Sequence, residues 1–161
     1  MKAITLQQPW ASLVILGAKK YETRSWPTRH RGMLLIHAGR TFPDTQRELA
    51  ASEPFRSALA QGGIEGFADL PLGAILGAVT VAACRPVGKI KPGPVELAFG
   101  DFSPGRWAWK LSDPRRQSDP IPYKGSRGIF DVPDDFCLQV GLPVVEASLV
   151  ARVGRWFGLG T

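Results

Sequence analysis

Apolar and polar positions change their period several times along this chain, and each change marks an element. Ala3 to Leu6 is a short apolar run that predicts a first strand. Gln8-Pro9-Trp10 then opens a helix: proline suits the first helical position, Trp10, Leu13, Val14 and Leu16 follow helical spacing, and Gly17 is placed to stop it. Tyr21 to Arg24 predicts a short strand, broken by Trp26-Pro27-Thr28. Met33 to Ala38 is continuously apolar between Gly32 and Gly39, which predicts a buried strand. Asp44 to Ala51 has helix-forming composition, Pro54 limits it, and a second short helix is expected up to Gln61 before Gly62-Gly63.

Leu70-Pro71-Leu72-Gly73 reads as a turn, and Ala74 to Cys84, rich in Val, Ile and Ala, as the longest strand. Pro86 to Pro94 reads as a connector. Arg106 to Leu111 follows the turn Ser103-Pro104-Gly105 and alternates as a strand, with Trp107 and Trp109 on one face. Pro114 to Pro122 is expected to be a polar loop, Tyr123 to Gly128 a basic one, and Ile129 to Val132 a last strand. Pro133-Asp134-Asp135 starts a short helix, and Val144 to Phe157 is read as a C-terminal helix. Five or six short strands mixed with two to four short helices, without an internal repeat, predict a small α+β barrel.

Composition narrows the class. A chain of 161 residues fits one domain able to bury a core, and 44% hydrophobic with 21% charged residues is globular rather than disordered. No apolar run approaches the roughly 18 residues of a membrane span. The start, Met1-Lys2-Ala3-Ile4-Thr5-Leu6, carries no signal-peptide pattern, so a cytoplasmic location is expected. Cys84 and Cys137 lie outside any C-x-x-C motif and the only histidines are His30 and His37, so neither a metal site nor a cofactor is expected.

Charge adds a position. The net charge is +6, and from Met1 to Arg47 eight basic residues (Lys2, Lys19, Lys20, Arg24, Arg29, Arg31, Arg40, Arg47) face only Glu22 and Asp44. The remaining chain holds twelve of each sign. The whole excess therefore sits in the first third, as a polyphosphate partner requires; a basic surface kept for solubility is the other reading.

The same stretch holds an ordered set of motifs. Gln7-Gln8-Pro9-Trp10 is followed by G-x-K-x-x-E-x-R at Gly17 to Arg24, by Trp26-Pro27-Thr28, and by Arg31-Gly32 leading into Leu35-Ile36-His37-Ala38. A second block runs Phe99-Gly100-Asp101-Phe102-Ser103-Pro104-Gly105-Arg106-Trp107-Ala108-Trp109, followed by Pro120-Ile121-Pro122 and Gly125. Together these resemble the ASCH domain, named for homology to the transcriptional coactivator ASC-1, over most of Met1 to Val132. The resemblance implies a PUA-like barrel of five to six mixed strands with flanking short helices, and RNA binding in a cleft of that barrel. It divides the chain into a domain at 1–135 and a C-terminal extension at 136–161 packed on it.

The residues have their own chemistry. Alternation puts Glu22 and Arg24 on one strand face with Lys19 at the turn before, so a carboxylate held ionised between two cations can accept from a base amine or ribose hydroxyl. Arg24 can fork onto a phosphate, and Trp26 beside Ser25 can stack a base. Lys20, Arg29, Arg31 and Arg40 are phosphate-contacting candidates, and Lys124, Ser126 and Arg127 on their Gly-flanked loop are candidates for the other lip. Glu22–Arg24 as a structural ion pair, Trp26 as core, and solvated loop cations are the bland alternatives; Trp10, Trp107 and Trp109 read as core. Arg152 and Arg155 are candidates for extending a basic face.

RNA or single-stranded DNA is thus the expected partner, with no membrane. A ribonuclease, with Lys19, Glu22 and His37 as catalytic candidates, stays open, as does a protein-interaction module with a protein partner. Amidohydrolases of this family, acting on a modified nucleoside, resemble K-x-x-T-x-R. Lys19 and Arg24 match, but Glu22 stands at the Thr position and Thr23 is expected on the opposite face.

Overall fold

The computed structural model describes residues 1–144. Its strands are β1 (Lys2–Leu6), β2 (Tyr21–Arg24), β3 (Gly32–Ala38), β4 (Ala74–Pro86), β5 (Trp107–Pro122) and β6 (Ile129–Asp131). Its helices are α1 (Trp10–Ile15), α2 (Asp44–Ala51), α3 (Phe55–Gln61), α4 (Pro94–Phe99) and α5 (Asp134–Gln139), with 3-10 turns at Phe67–Asp69 and Val87–Lys89. The strands form one mixed sheet in the order β2-β5-β4-β3-β1-β6. Among the strands of the described residues only β1 and β3 run parallel, joined across α1 and β2. The sheet curls into a half-barrel, and the fold is α+β as expected from the sequence.

The unbroken apolar run of β3 has a structural reason. Leu34, Ile36 and Ala38 enter the cluster that α1 closes with Ala11, Val14 and Ile15. Leu35 points the other way, into a cluster with Ala3, Ala78, Val132, Cys137 and Leu142. A strand buried on both faces cannot alternate with polar residues. The second side of α1 gives Leu13 to a third cluster with Phe55 and Leu59 of α3 and Phe99 of α4. α1 is thus a short helix with Ala11 to Ile15 all buried.

Two elements depart from the sequence reading. β5 does not end at Leu111; the stretch expected to be a polar loop, Pro114 to Pro122, continues the strand and pairs with β4 as far as Ala74↔Pro122. Pro114 and Pro120 sit where the ladder is interrupted, and Pro122 is its last paired residue. Thr80 pairs with Ser112 but Ala78 with Arg115, so Asp113 (φ 48°) and Pro114 together stand opposite the single residue Val79. Bulges accommodate a residue that has no N–H to donate. α4 is the second departure, a helix of six residues begun by Pro94 and anchored by the fully buried Phe99.

The C-terminal reading is only partly within the described residues. α5 forms, and Phe136, Cys137, Leu142 and Val144 pack beside β1 and β3. The rest of the expected helix over Val144 to Phe157, with Arg152 and Arg155, lies outside the described residues. No helix among the described residues is long and apolar enough to cross a membrane.

Candidate functional site

A cleft of about 560 Å³ opens where the α1–β2 turn, β2 and the Phe99–Arg106 segment meet. Gly17, at φ +75°, lets the chain leave α1 sharply, and the Lys19 amide donates back to the Leu13 carbonyl at 3.0 Å. That turn drives the Lys19 side chain inward, where only 1% of it is exposed. Its ammonium donates to the Tyr21 carbonyl and lies 3.9 Å from Glu22 Oε2. Burial holds the Lys19 pKa below the ordinary lysine value, against the opposing pull of Glu22 and Glu96. Glu96, on α4, fixes the start of β2 by accepting from the Lys20 and Tyr21 amides, each at 2.9 Å.

Glu22 and Arg24 share the inner face of β2, as alternation predicts. Arg24 Nε donates to Glu22 Oε1 at 2.8 Å and Nη2 to the Thr5 carbonyl at 3.2 Å. Arg24 Nη1 has no partner among the described residues. Thr23, expected on the opposite face, lines the cleft as well. β2 is an edge strand, and the Gly100–Asp101 turn folds over it: the Asp101 amide donates to Thr23 Oγ1 at 3.1 Å. A Cβ on Gly100 would stand 3.2 Å from Lys19 Nζ and 3.3 Å from Thr23 Oγ1, so ammonium and hydroxyl converge on one glycine.

The segment after Gly100 supplies groups that local reading of Gly17 to Arg24 could not reach. Arg106 Nη2 donates to the Thr23 carbonyl at 3.2 Å, and its Nε is 3.3 Å from Asp101 Oδ2 without the alignment of a hydrogen bond. Asp101 also accepts from the Ser103 amide and hydroxyl, which hold its carboxyl below the usual range. Trp10 completes the wall. It is half-buried, edge-on to Phe55 at 6.4 Å, and part of the cleft lining rather than of the core alone. The available signal was the Phe99 to Trp109 block, whose Gly-Asp and Arg stand out in sequence.

The other candidates lie elsewhere. Trp26 packs edge-to-face on the buried Trp109 at 4.8 Å and is not among the cleft-lining residues. Lys20, Ser25, Arg29, Arg31 and Arg40 are exposed, with Arg31 donating to the Thr28 and His30 carbonyls. Lys124 and Arg127 are exposed on a loop moored beside the cleft. Thr5 Oγ1, in the cleft wall, donates to the Ser126 carbonyl at 3.0 Å. His37 lies beneath that loop, 1% exposed, with Nε2 donating to the Tyr123 carbonyl at 2.9 Å and Nδ1 3.2 Å from Thr5 Oγ1. Burial lowers its pKa. Gly125 permits this approach, since a Cβ there would fall 2.4 Å from His37 Cε1. Among the described residues no cluster of three or more His, Cys, Asp or Glu is placed to hold a metal.

Fold and cleft define a small α+β domain built around a charged groove at a sheet edge. Residues 4–117 match the family model of the ASCH domain, and the chain belongs to that family. It is 31% identical over 128 residues to human "Activating signal cointegrator 1", covering 79% of this chain and 21% of that protein. It is 39% identical over 82 residues to the Mus musculus protein of the same name, covering 50% of this chain. The chain spans about a fifth or less of the length of these curated relatives. Among solved structures, ASCH from Zymomonas mobilis covers 83% of this chain and 88% of its own, at TM-score 0.47 and 13% identity. A mutant form of that bacterial protein gives TM-score 0.48 at 12% identity, covering 86% of this chain and 94% of its own.

Proposed function

We propose that the cleft binds single-stranded nucleic acid, RNA in preference to DNA, with one phosphate inside it. The carrying observation is the charge inventory of the groove: Lys19, Arg24 and Arg106 converge against Glu22 and Asp101, and both carboxylates are already engaged. A net single positive charge with free guanidinium donors matches one phosphodiester. Trp10 offers a face for a base, and Glu22 accepts from a ribose 2′-hydroxyl, which is how RNA is told from DNA. Lys20, Arg40, Lys124 and Arg127 supply exposed charge outside the groove for neighbouring phosphates.

The test is binding of labelled single-stranded RNA and DNA to wild type and to an Arg24→Ala/Arg106→Ala variant at two salt concentrations, with the mixtures then run on a denaturing gel. Wild-type binding should weaken with salt, and the variant should lose about tenfold per guanidinium, about 1.4 kcal/mol each. Equal binding by variant and wild type removes the cleft from the mechanism. Failure of wild type to bind either polymer turns attention to a protein partner.

One observation favours a hydrolytic reading of the same groove, ribonuclease or amidohydrolase. Lys19, made easier to deprotonate by burial, converges with the Thr23 hydroxyl beside Gly100, the arrangement of a base and an oxygen nucleophile. That reading requires a cleaved polymer on the gel, or acetate released from an acetylated nucleoside, and loss of product in Thr23→Val with binding retained.

A further inference from the structure

Arg106 has two sides. One faces the cleft; the other lines a separate hollow of about 400 Å³. The floor of this hollow is the last rung of the β4–β5 ladder, Pro86↔Trp107, tightened by the Val87 amide donating to the Arg106 carbonyl at 3.0 Å. Phe102 and Pro104 form one wall and the Val87–Gly88 turn the other. Trp107, which also packs partly against the core cluster beneath α1, and Phe102 are both half-buried, and both line the hollow. The loop bearing Phe102 is not loose: Asp101 binds the Ser103 amide and hydroxyl at 3.0 and 2.6 Å. Gly88 and Gly105 stand at the hollow with nothing within 4 Å of where a Cβ would be, so no side chain closes it from either position.

The charge in this hollow is as specific as its shape. Arg106 is the sole charged residue of the lining among the described residues. Its Nη2 is committed to the Thr23 carbonyl, while Nη1 has no partner among the described residues. An apolar slot with two aromatic rings, one guanidinium away from a groove suited to one phosphate, fits a flat heteroaromatic ring carried on the next nucleotide.

We propose that this hollow is a second base-binding subsite: the nucleotide adjoining the one in the cleft stacks its base on Trp107 and Phe102, and Arg106 contacts the phosphodiester that links the two. This rests on the nucleic-acid reading of the cleft and deepens it, because it makes the unit recognised a dinucleotide rather than a single nucleotide.

The experiment compares adenosine monophosphate with the dinucleotide of two adenosines joined by one phosphodiester, on wild type and Gly88→Leu, by calorimetry. The dinucleotide carries less negative charge, so any gain it shows comes from the second nucleoside, and the variants assign it to the hollow. Wild type should bind the dinucleotide roughly 5- to 100-fold more tightly. Gly88→Leu, which fills the hollow from a position with open space, should erase that gain and leave the monophosphate affinity unchanged. Phe102→Ser, which removes one ring instead of adding bulk, should also erase the gain. Equal wild-type affinity for both ligands, or a gain that survives in Gly88→Leu, overturns the second subsite while the cleft stands. Failure of wild type to bind either ligand overturns both.

Discussion

Lys19→Met separates a functional lysine from a structural one, because the two roles move opposite measurements. The ammonium lies 3.9 Å from Glu22 Oε2, a gross attraction of about 4 kcal/mol at an effective dielectric constant of about 20. Its burial opposes that attraction with several kcal/mol of lost hydration, and the lowered pKa says that burial prevails. Methionine keeps the length and volume of the stem and removes the charge. Glu22 retains Arg24 at 2.8 Å, so no carboxylate is stranded. The Tyr21 carbonyl loses a donor, at about 1–3 kcal/mol.

Gain and loss nearly cancel, and folding stability should change by no more than about 1 kcal/mol. On the nucleic-acid reading, binding should not be spared. A charged donor facing a phosphate contributes about 1.5–3 kcal/mol, so affinity should fall roughly 10- to 150-fold. The salt slope should shrink by about 0.7 for the phosphate no longer neutralised. Urea unfolding followed by tryptophan fluorescence gives the first quantity, and anisotropy of a labelled single strand across a salt series gives the second. A variant destabilised by more than about 3 kcal/mol whose folded fraction binds like wild type would refute the reasoning and make Lys19 a tie between α1 and β2.

Two further outcomes test the frame around the site. Gly77→Ala should cost more than about 3 kcal/mol in urea unfolding, because φ there is +147° and a Cβ would lie 2.0 Å from the Arg115 carbonyl oxygen, inside the β4–β5 bulge that carries the strand past Leu111; a small effect would mean that the bulge shifts register freely. His37 resists protonation in the folded state while the unfolded chain takes up its proton near 6.5, so stability should fall as pH drops below that value and level off once the lower folded pKa is passed. His37→Gln should remove that component, and parallel unfolding-versus-pH curves for the two proteins would exclude it.

What was legible in the sequence follows the range of the interactions that decide it. β3 and β4 are apolar because both faces are covered, and a continuous run reports that directly. Lys19, Glu22 and Arg24 fall within one turn and one strand, so spacing alone brings them together. The tail of β5 was hidden because a bulged strand with an exposed outer surface has a loop's composition: Pro114, Pro120 and Pro122 are breakers only until the partner strand is known to be offset. Trp10 shows the limit of periodicity. It shares a helical face with Leu13 and Val14, but it is the first residue of α1, where one side of the ring meets Phe55 and the other meets the groove. Asp101 and Arg106 lie 78 and 83 residues beyond Thr23, and only the fold of the 99–106 segment over an edge strand places them there.

That placement changes how the charge of the chain divides its work. The net excess lies wholly in the first third of the sequence, which suggests a strongly positive site. The groove itself is nearly balanced, with three cations against two carboxylates. The surplus is therefore on exposed side chains such as Lys20, Arg29, Arg31 and Arg40, where it is screened by salt and acts over a Debye length of about 8 Å. Such charges raise the rate of encounter with any polyanion and discriminate poorly among them. Inside the groove a cation in place of Glu22 would bind phosphate more strongly but would remove the acceptor that Glu22 presents. On the nucleic-acid reading, exposed residues supply affinity that salt removes, and the paired groove supplies the choice of ligand. Neutralising Arg29 and Arg31 should then flatten the salt dependence without altering the preference for RNA, whereas Glu22→Gln should narrow that preference at every salt concentration.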